Sequence, residues 1–96
     1  MIDLLALHCL NSLCDDYENV ATILSDTRQA THGDIKAEDV EKTLADLLAD
    51  DLISVYEFDT AKSEYVPLEH KSADLNHKWF FITAKGRTRL DREWVD

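Results

Sequence analysis

The chain has 96 residues, enough for one domain with a single core and too few for a second domain housing its own active site, so 1–96 reads as one unit. With 45% hydrophobic residues, two glycines and one proline, it is neither a disordered linker nor a protein able to build a glycine-rich phosphate loop. Its 20 acidic against 10 basic residues give a net charge of −10, which opposes nonspecific attraction to nucleic acid or to an anionic membrane.

Ile2 to Cys14 reads as a helix with its main apolar stripe on Ile2, Leu5, Ala6, Cys9, Leu10 and Leu13. Leu4, Leu7 and Cys14 fall outside that stripe. Two accounts of this wide apolar surface stay open: a helix wedged between others of the same domain, or a homodimer interface built from Leu4, Leu7 and the distant Trp94. Cys9 and Cys14 lie five apart on this helix, point away from each other and read as reduced thiols. No basic stretch precedes the apolar start and the longest apolar runs are four residues, so the expectation is a cytoplasmic protein with no membrane partner.

Tyr17 to about Ser25 continues helically through Val20, Ala21, Ile23 and Leu24, with an end anywhere up to His32 before Gly33 stops it. Asp15 and Asp16 stand at its start, where carboxylates favour the helix dipole. A third helix begins near Lys36 or Ala37 and runs to about Asp50, with Ala37, Val40, Leu44, Leu47 and Leu48 on its core face. Its opposite side holds Glu38, Lys42 and Ala45, flanked by Asp39 and Asp46, three carboxylates against one ammonium.

Ser54 to Phe58 alternates as a half-buried strand, with Val55 on one face and Ser54, Tyr56 and Phe58 on the other. A turn at 59–63 leads to a short edge strand at 64–68, where Pro67 lacks the donor that a central ladder needs. Residues 69–76 read as polar loop and Lys78 to Ile82 as the returning strand. Thr83 is a good N-cap for a last helix, Ala84 to about Val95, that packs Leu90 and Trp94 on one side.

Two segments carry a family likeness. Leu44-Ala45-Asp46-Leu47-Leu48-Ala49-Asp50-Asp51-Leu52-Ile53 resembles the end of the recognition helix in prokaryotic winged helix-turn-helix transcriptional regulators, and Trp79-Phe80-Phe81-Ile82-Thr83-Ala84-Lys85-Gly86-Arg87 resembles their F-x-L-T-x-K-G-R segment. The resemblance implies a mainly α fold with a small antiparallel β-wing (α+β): three helices, a β-hairpin wing and a C-terminal helix. Asp51 stands where the family pattern usually has glycine, in a turn that demands a left-handed backbone; aspartate tolerates it better than most residues.

The same resemblance implies a small, dimeric, non-catalytic regulator that binds double-stranded DNA through wing and third helix. Lys36, Lys42, Lys71, Lys78, Lys85, Arg87 and Arg89 are then the candidate DNA contacts. The acidic third helix favours an alternative, an adaptor that binds an unidentified protein instead. No nucleophile elbow, HExxH pair or closed ligand set is visible, so neither enzyme, metal nor cofactor is expected. His70 and His77, seven apart in a polar loop with Glu69 and Asp74, are the nearest thing to metal ligands, and solvated loop histidines describe them better.

Overall fold

A computed structural model describes residues 3–31, 33–68 and 78–93. It is an α+β fold in the order α1 (Leu4–Ser12), α2 (Val20–Thr31), α3 (Ala37–Ala49), β1 (Ile53–Asp59), β2 (Glu64–Pro67), β3 (Trp79–Ile82), α4 (Ala84–Glu93). Four helices are present among the described residues, three before the sheet and one after it. The sheet is antiparallel with order β2-β1-β3, so the edge strand expected at 64–68 and the returning strand expected at 78–82 lie on either side of β1, and the hairpin wing carries a third strand.

The apolar positions explain why these segments meet. Ala6, Cys9, Leu10 and Leu13 from the first helix region, Val20 and Ile23 from α2, Val40, Leu44, Leu47 and Leu48 from α3, and Leu52, Ile53, Val55, Phe80, Ile82 and Leu90 form one buried cluster. Phe80 is fully buried, and burying such a ring contributes about 3 kcal/mol at most. Ala37, assigned to the core face by spacing, is exposed as the first residue of α3, and the buried face of the helix begins at Val40.

The second helix starts three residues later than the periodicity suggests. Asn19 caps it, its Oδ1 accepting the Thr22 N–H at 3.0 Å, and Tyr17 to Asn19 is extended instead. Glu18 exchanges two backbone hydrogen bonds with Phe80, at 3.1 and 2.9 Å, and adds a one-residue strand to the free side of β3. Asp15 and Asp16 therefore lie ahead of α2 and outside its first turn. Ile82 N–H donates to the Leu13 carbonyl at 3.3 Å along the same edge.

The other edge is closed differently. The Leu68 N–H donates to the Val55 carbonyl, so the register places Glu57 opposite Val66 and Asp59 opposite Glu64 at hydrogen-bonded positions. Tyr65 and Pro67 alternate with them, and their backbone faces outward. Pro67 has no N–H to offer there, which blunts the edge against a further strand.

The turn between α3 and β1 is a Schellman motif. Leu52 N–H donates to the Leu47 carbonyl at 3.0 Å and Asp51 N–H to the Leu48 carbonyl at 3.1 Å, while Asp51 adopts φ 59°. The left-handed turn that the sequence requires is therefore made, with aspartate in the position that usually takes glycine.

Candidate functional site

The outward side of α3 is the first candidate. Glu38, Asp39, Lys42, Ala45 and Asp46 are exposed and Glu41 half-exposed, while Val40, Leu44, Leu47 and Leu48 face the core. Asp39 also has a structural task, its Oδ2 accepting the Lys36 N–H at 3.0 Å to fasten the start of the helix. The surface offered to a partner by α3 itself is Glu38, Glu41, Asp39 and Asp46 with Lys42 as its single cation. Such a surface repels phosphate and attracts a cationic partner.

The basic set beside it is tied into the fold. Lys85 Nζ donates to the carbonyl of Asp50, at the C-terminus of α3, at 2.8 Å, where a cation is favoured by the helix dipole. Arg87 donates to the Cys14 carbonyl and lies over the Phe81 ring, 5.7 Å from its centroid. Lys78 pairs with Glu57 at 3.8 Å, and Arg89 pairs with Glu93 one turn along α4. Each of these four cations is spent at least in part on a carboxylate or a carbonyl of its own chain. Lys36 and Lys42 are exposed at the start and middle of α3; Lys71 lies outside the described residues, as do His32, His70 and His77.

The described residues include Leu4 and Leu7 of the predicted dimer patch. Leu4 is 63% exposed, whereas Leu7 is half-buried against the core cluster; Trp94 lies outside the described residues. Cys9 and Cys14 are both free thiols, and burial pushes Cys9 up to about 12, with the Asp3 charge adding to it. Cys14, less buried, is also raised, first by desolvation and then by Asp15.

Between α1 and α2 a notch of about 340 Å³ is lined by His8, Asn11, Ser12, Asp15, Asp16, Glu18, Asp26 and Ala30. Its four carboxylates have no lysine or arginine among them. Glu18 accordingly has a raised pKa, from desolvation first and then from repulsion by Asp26 and Asp16, partly offset by a Thr22 hydrogen bond. No group of three or more histidine, cysteine or carboxylate side chains able to hold a metal occurs among the described residues.

Sequence reasoning missed the outer face of the sheet. The register puts Ser54, Tyr56 and Phe58 of β1, Tyr65 and Pro67 of β2, and Trp79 and Phe81 of β3 on the side away from the core. Tyr17 completes it from the segment between α1 and α2. Its ring stacks on Tyr65 at 4.1 Å and on Phe81 at 4.9 Å, and meets Tyr56 edge-on at 4.9 Å. The alternation within 54–58 and 79–82 carried half of this signal. The other half depended on Tyr17 and Tyr65, whose neighbours are far away in sequence.

No protein-family model, curated protein or solved structure matches the chain.

Proposed function

We propose that the chain is a non-catalytic winged helix-turn-helix domain whose third helix binds a cationic protein surface and not DNA. The fold part of this reading is supported by the element order and by the pairing of Glu18, β3 and β1. On this reading α1 to α3, Glu18 and the β1–β3 pair are the three helices, short strand and wing, with β2 as an added strand. It is further supported by the left-handed turn at Asp51 and the Thr83 cap, both at positions where the sequence resembles prokaryotic transcriptional regulators.

The observation that carries the choice of partner is the exposed side of α3, where Glu38, Asp39 and Asp46 surround a single Lys42. A recognition helix entering a major groove passes between two phosphate strands, and carboxylates there lose hydration and gain repulsion. Against a lysine- or arginine-rich surface the same groups gain attraction and faster encounter.

The DNA-binding reading keeps one specific support. Lys78 precedes β3 and Lys85, Arg87 and Arg89 follow it on α4, and Lys85 and Arg87 are exposed there in spite of their carbonyl partners. Amide NMR titration at low salt decides between the two, with a short oligolysine peptide and a duplex DNA of mixed sequence as probes. Expected are salt-sensitive shifts of Glu38 to Asp46 with the peptide and none with the duplex. Duplex binding that moves Lys85 and Arg87 amides, and that Lys85→Glu with Arg87→Glu abolishes, overturns the adaptor reading and restores the DNA-binding regulator.

A further inference from the structure

The side of α3 turned away from the core carries a regular pattern. Glu38, Lys42, Ala45 and Ala49 follow one another at spacings of four, three and four residues, and all of them are exposed. That is the period of a seam between two helices. Asp39 and Asp46 stand along one flank of it and Glu41 along the other. The opposite face of the helix, from Val40 to Leu48, is already buried in the domain, so this second seam lies outside the fold's own packing.

We infer that the partner of α3 is itself a helix laid along this seam, with basic residues on its flanks and one acidic residue opposite Lys42. The inference rests on the reading of α3 as the site of a cationic protein surface and names the form of that surface. Ala45 and Ala49 leave room for a second helix axis at about 8 Å, the close end of the range for packed helices. The carboxylates of Asp39, Asp46 and Glu41 occupy the flanks from which such pairs are chosen by charge, and they select lysine or arginine on the other helix. A cation inside the seam loses water when it is covered, and a carboxylate opposite it restores the balance and fixes the register. Lys42 is available for that contact: the ion pairs among the described residues join Lys78 to Glu57 and Arg89 to Glu93.

The backbone favours the same occupant. Within α3 the N–H and C=O groups are spent on the helix itself, so its outer face offers side chains only. A helical partner needs nothing more, because its own backbone is satisfied internally, whereas a strand laid there gains no partner for its N–H and C=O groups. With alanine where a stronger seam has leucine, little apolar surface is buried, and the affinity comes from the flanking charges and weakens with salt.

Two alanine-based peptides of about 20 residues, long enough to be helical in water, test the inference. They share one composition, with lysines flanking an alanine seam; the first has a glutamate within the seam and the second has it on the far side of the helix. Amide NMR titration at low salt should show the first bound about fivefold more tightly by the wild type, with the Ala45 and Ala49 amides among those that shift. Lys42→Gln should erase that difference. Ala45→Gln, which enlarges the seam without changing charge, should weaken the first peptide by about fivefold more than it weakens oligolysine. Equal affinity of the wild type for the two peptides, or an Ala45→Gln variant that weakens the first peptide and oligolysine alike, overturns the inference and leaves α3 as a site for positive charge of any form. If oligolysine also fails to shift Glu38 to Asp46, the cationic-partner reading falls with it.

Discussion

Thr83 and Asp51, thirty-two residues apart, are joined by a 2.7 Å hydrogen bond in which the threonine hydroxyl donates to the aspartate carbonyl. The threonine Oγ1 also accepts the Gly86 N–H at 3.0 Å, so one side chain both caps α4 and ties it to the turn that ends α3. Lys85 adds a second tie, to the Asp50 carbonyl. The two segments that carry the family resemblance are thus one physical junction, which fixes the sheet relative to the third helix.

Thr83→Val keeps the shape and removes both bonds. Loss of an N-cap and of a bond to a carbonyl costs about 1–2 kcal/mol, so the melting temperature should fall by about 4–8 °C for each kcal/mol in a chain of this size. Thr83→Ser, which keeps the hydroxyl, should recover most of it. Thermal unfolding followed by circular dichroism compares the three; equal stability of the valine and serine variants would count against the double role.

Gly86→Ala is expected to be far more damaging. A Cβ there would stand 2.0 Å from the Leu52 carbonyl oxygen and 2.7 Å from Ile82 Cγ1, and the first of these is backbone that cannot swing away. The helix must move off the sheet, at a cost on the order of 3 kcal/mol. Denaturant titration should show the midpoint displaced well beyond that of Thr83→Val.

Asp51→Gly should act in the opposite direction. The left-handed φ of 59° strains a residue with a Cβ by about 1–2 kcal/mol, and a carboxylate next to a helix C-terminus is disfavoured by the dipole. Part of the gain is offset by the greater freedom of glycine in the unfolded chain. A net rise in melting temperature is the expected outcome, and an unchanged or lower value would show that the aspartate side chain stabilises the turn by other means.

What the sequence made legible was local. Helix periodicity located α1 and α3 to within a residue or two, and Thr83 and Pro67 marked a cap and an edge, because each depends on its own chemistry and immediate neighbours. Glu18 was unreadable as a strand: a single residue has no period, and its partner Phe80 lies across the whole fold. Tyr17 was read as helical for the same reason, since nothing near it announces that its ring belongs with Tyr65 and Phe81. The basic residues were legible as a cluster, but their engagement with the carbonyls of Cys14 and Asp50 arises only when distant segments meet.

Cys9 links burial to alkaline stability. Its thiol is pushed up to about 12 in the folded chain, well above an exposed cysteine, so the protein holds that proton more tightly when folded. The corresponding stability is present below the unfolded value near pH 9 and is lost as pH rises from there toward about 12. Cys9→Ser and Cys9→Ala should remove this part of the alkaline slope, and in the native wild type a thiol reagent at neutral pH should leave Cys9 unmodified until the chain is unfolded. Rapid native modification at Cys9 would contradict its burial.

Glu18 gives the acid counterpart. Its pKa is raised by desolvation first, then by Asp26 and Asp16, so the folded state prefers the protonated carboxyl. The charged form is therefore penalised above the folded pKa, and the penalty disappears as pH falls below the ordinary carboxylate range of about 4.3. Glu18→Gln leaves the backbone pairing with Phe80 in place and removes only the charge. It should be more stable than wild type at pH 7, with the difference shrinking as pH approaches about 4. Denaturant titrations at the two pH values measure this, and a variant equally or less stable at pH 7 would mean that the carboxylate is held by an attraction stronger than the repulsion from Asp16 and Asp26.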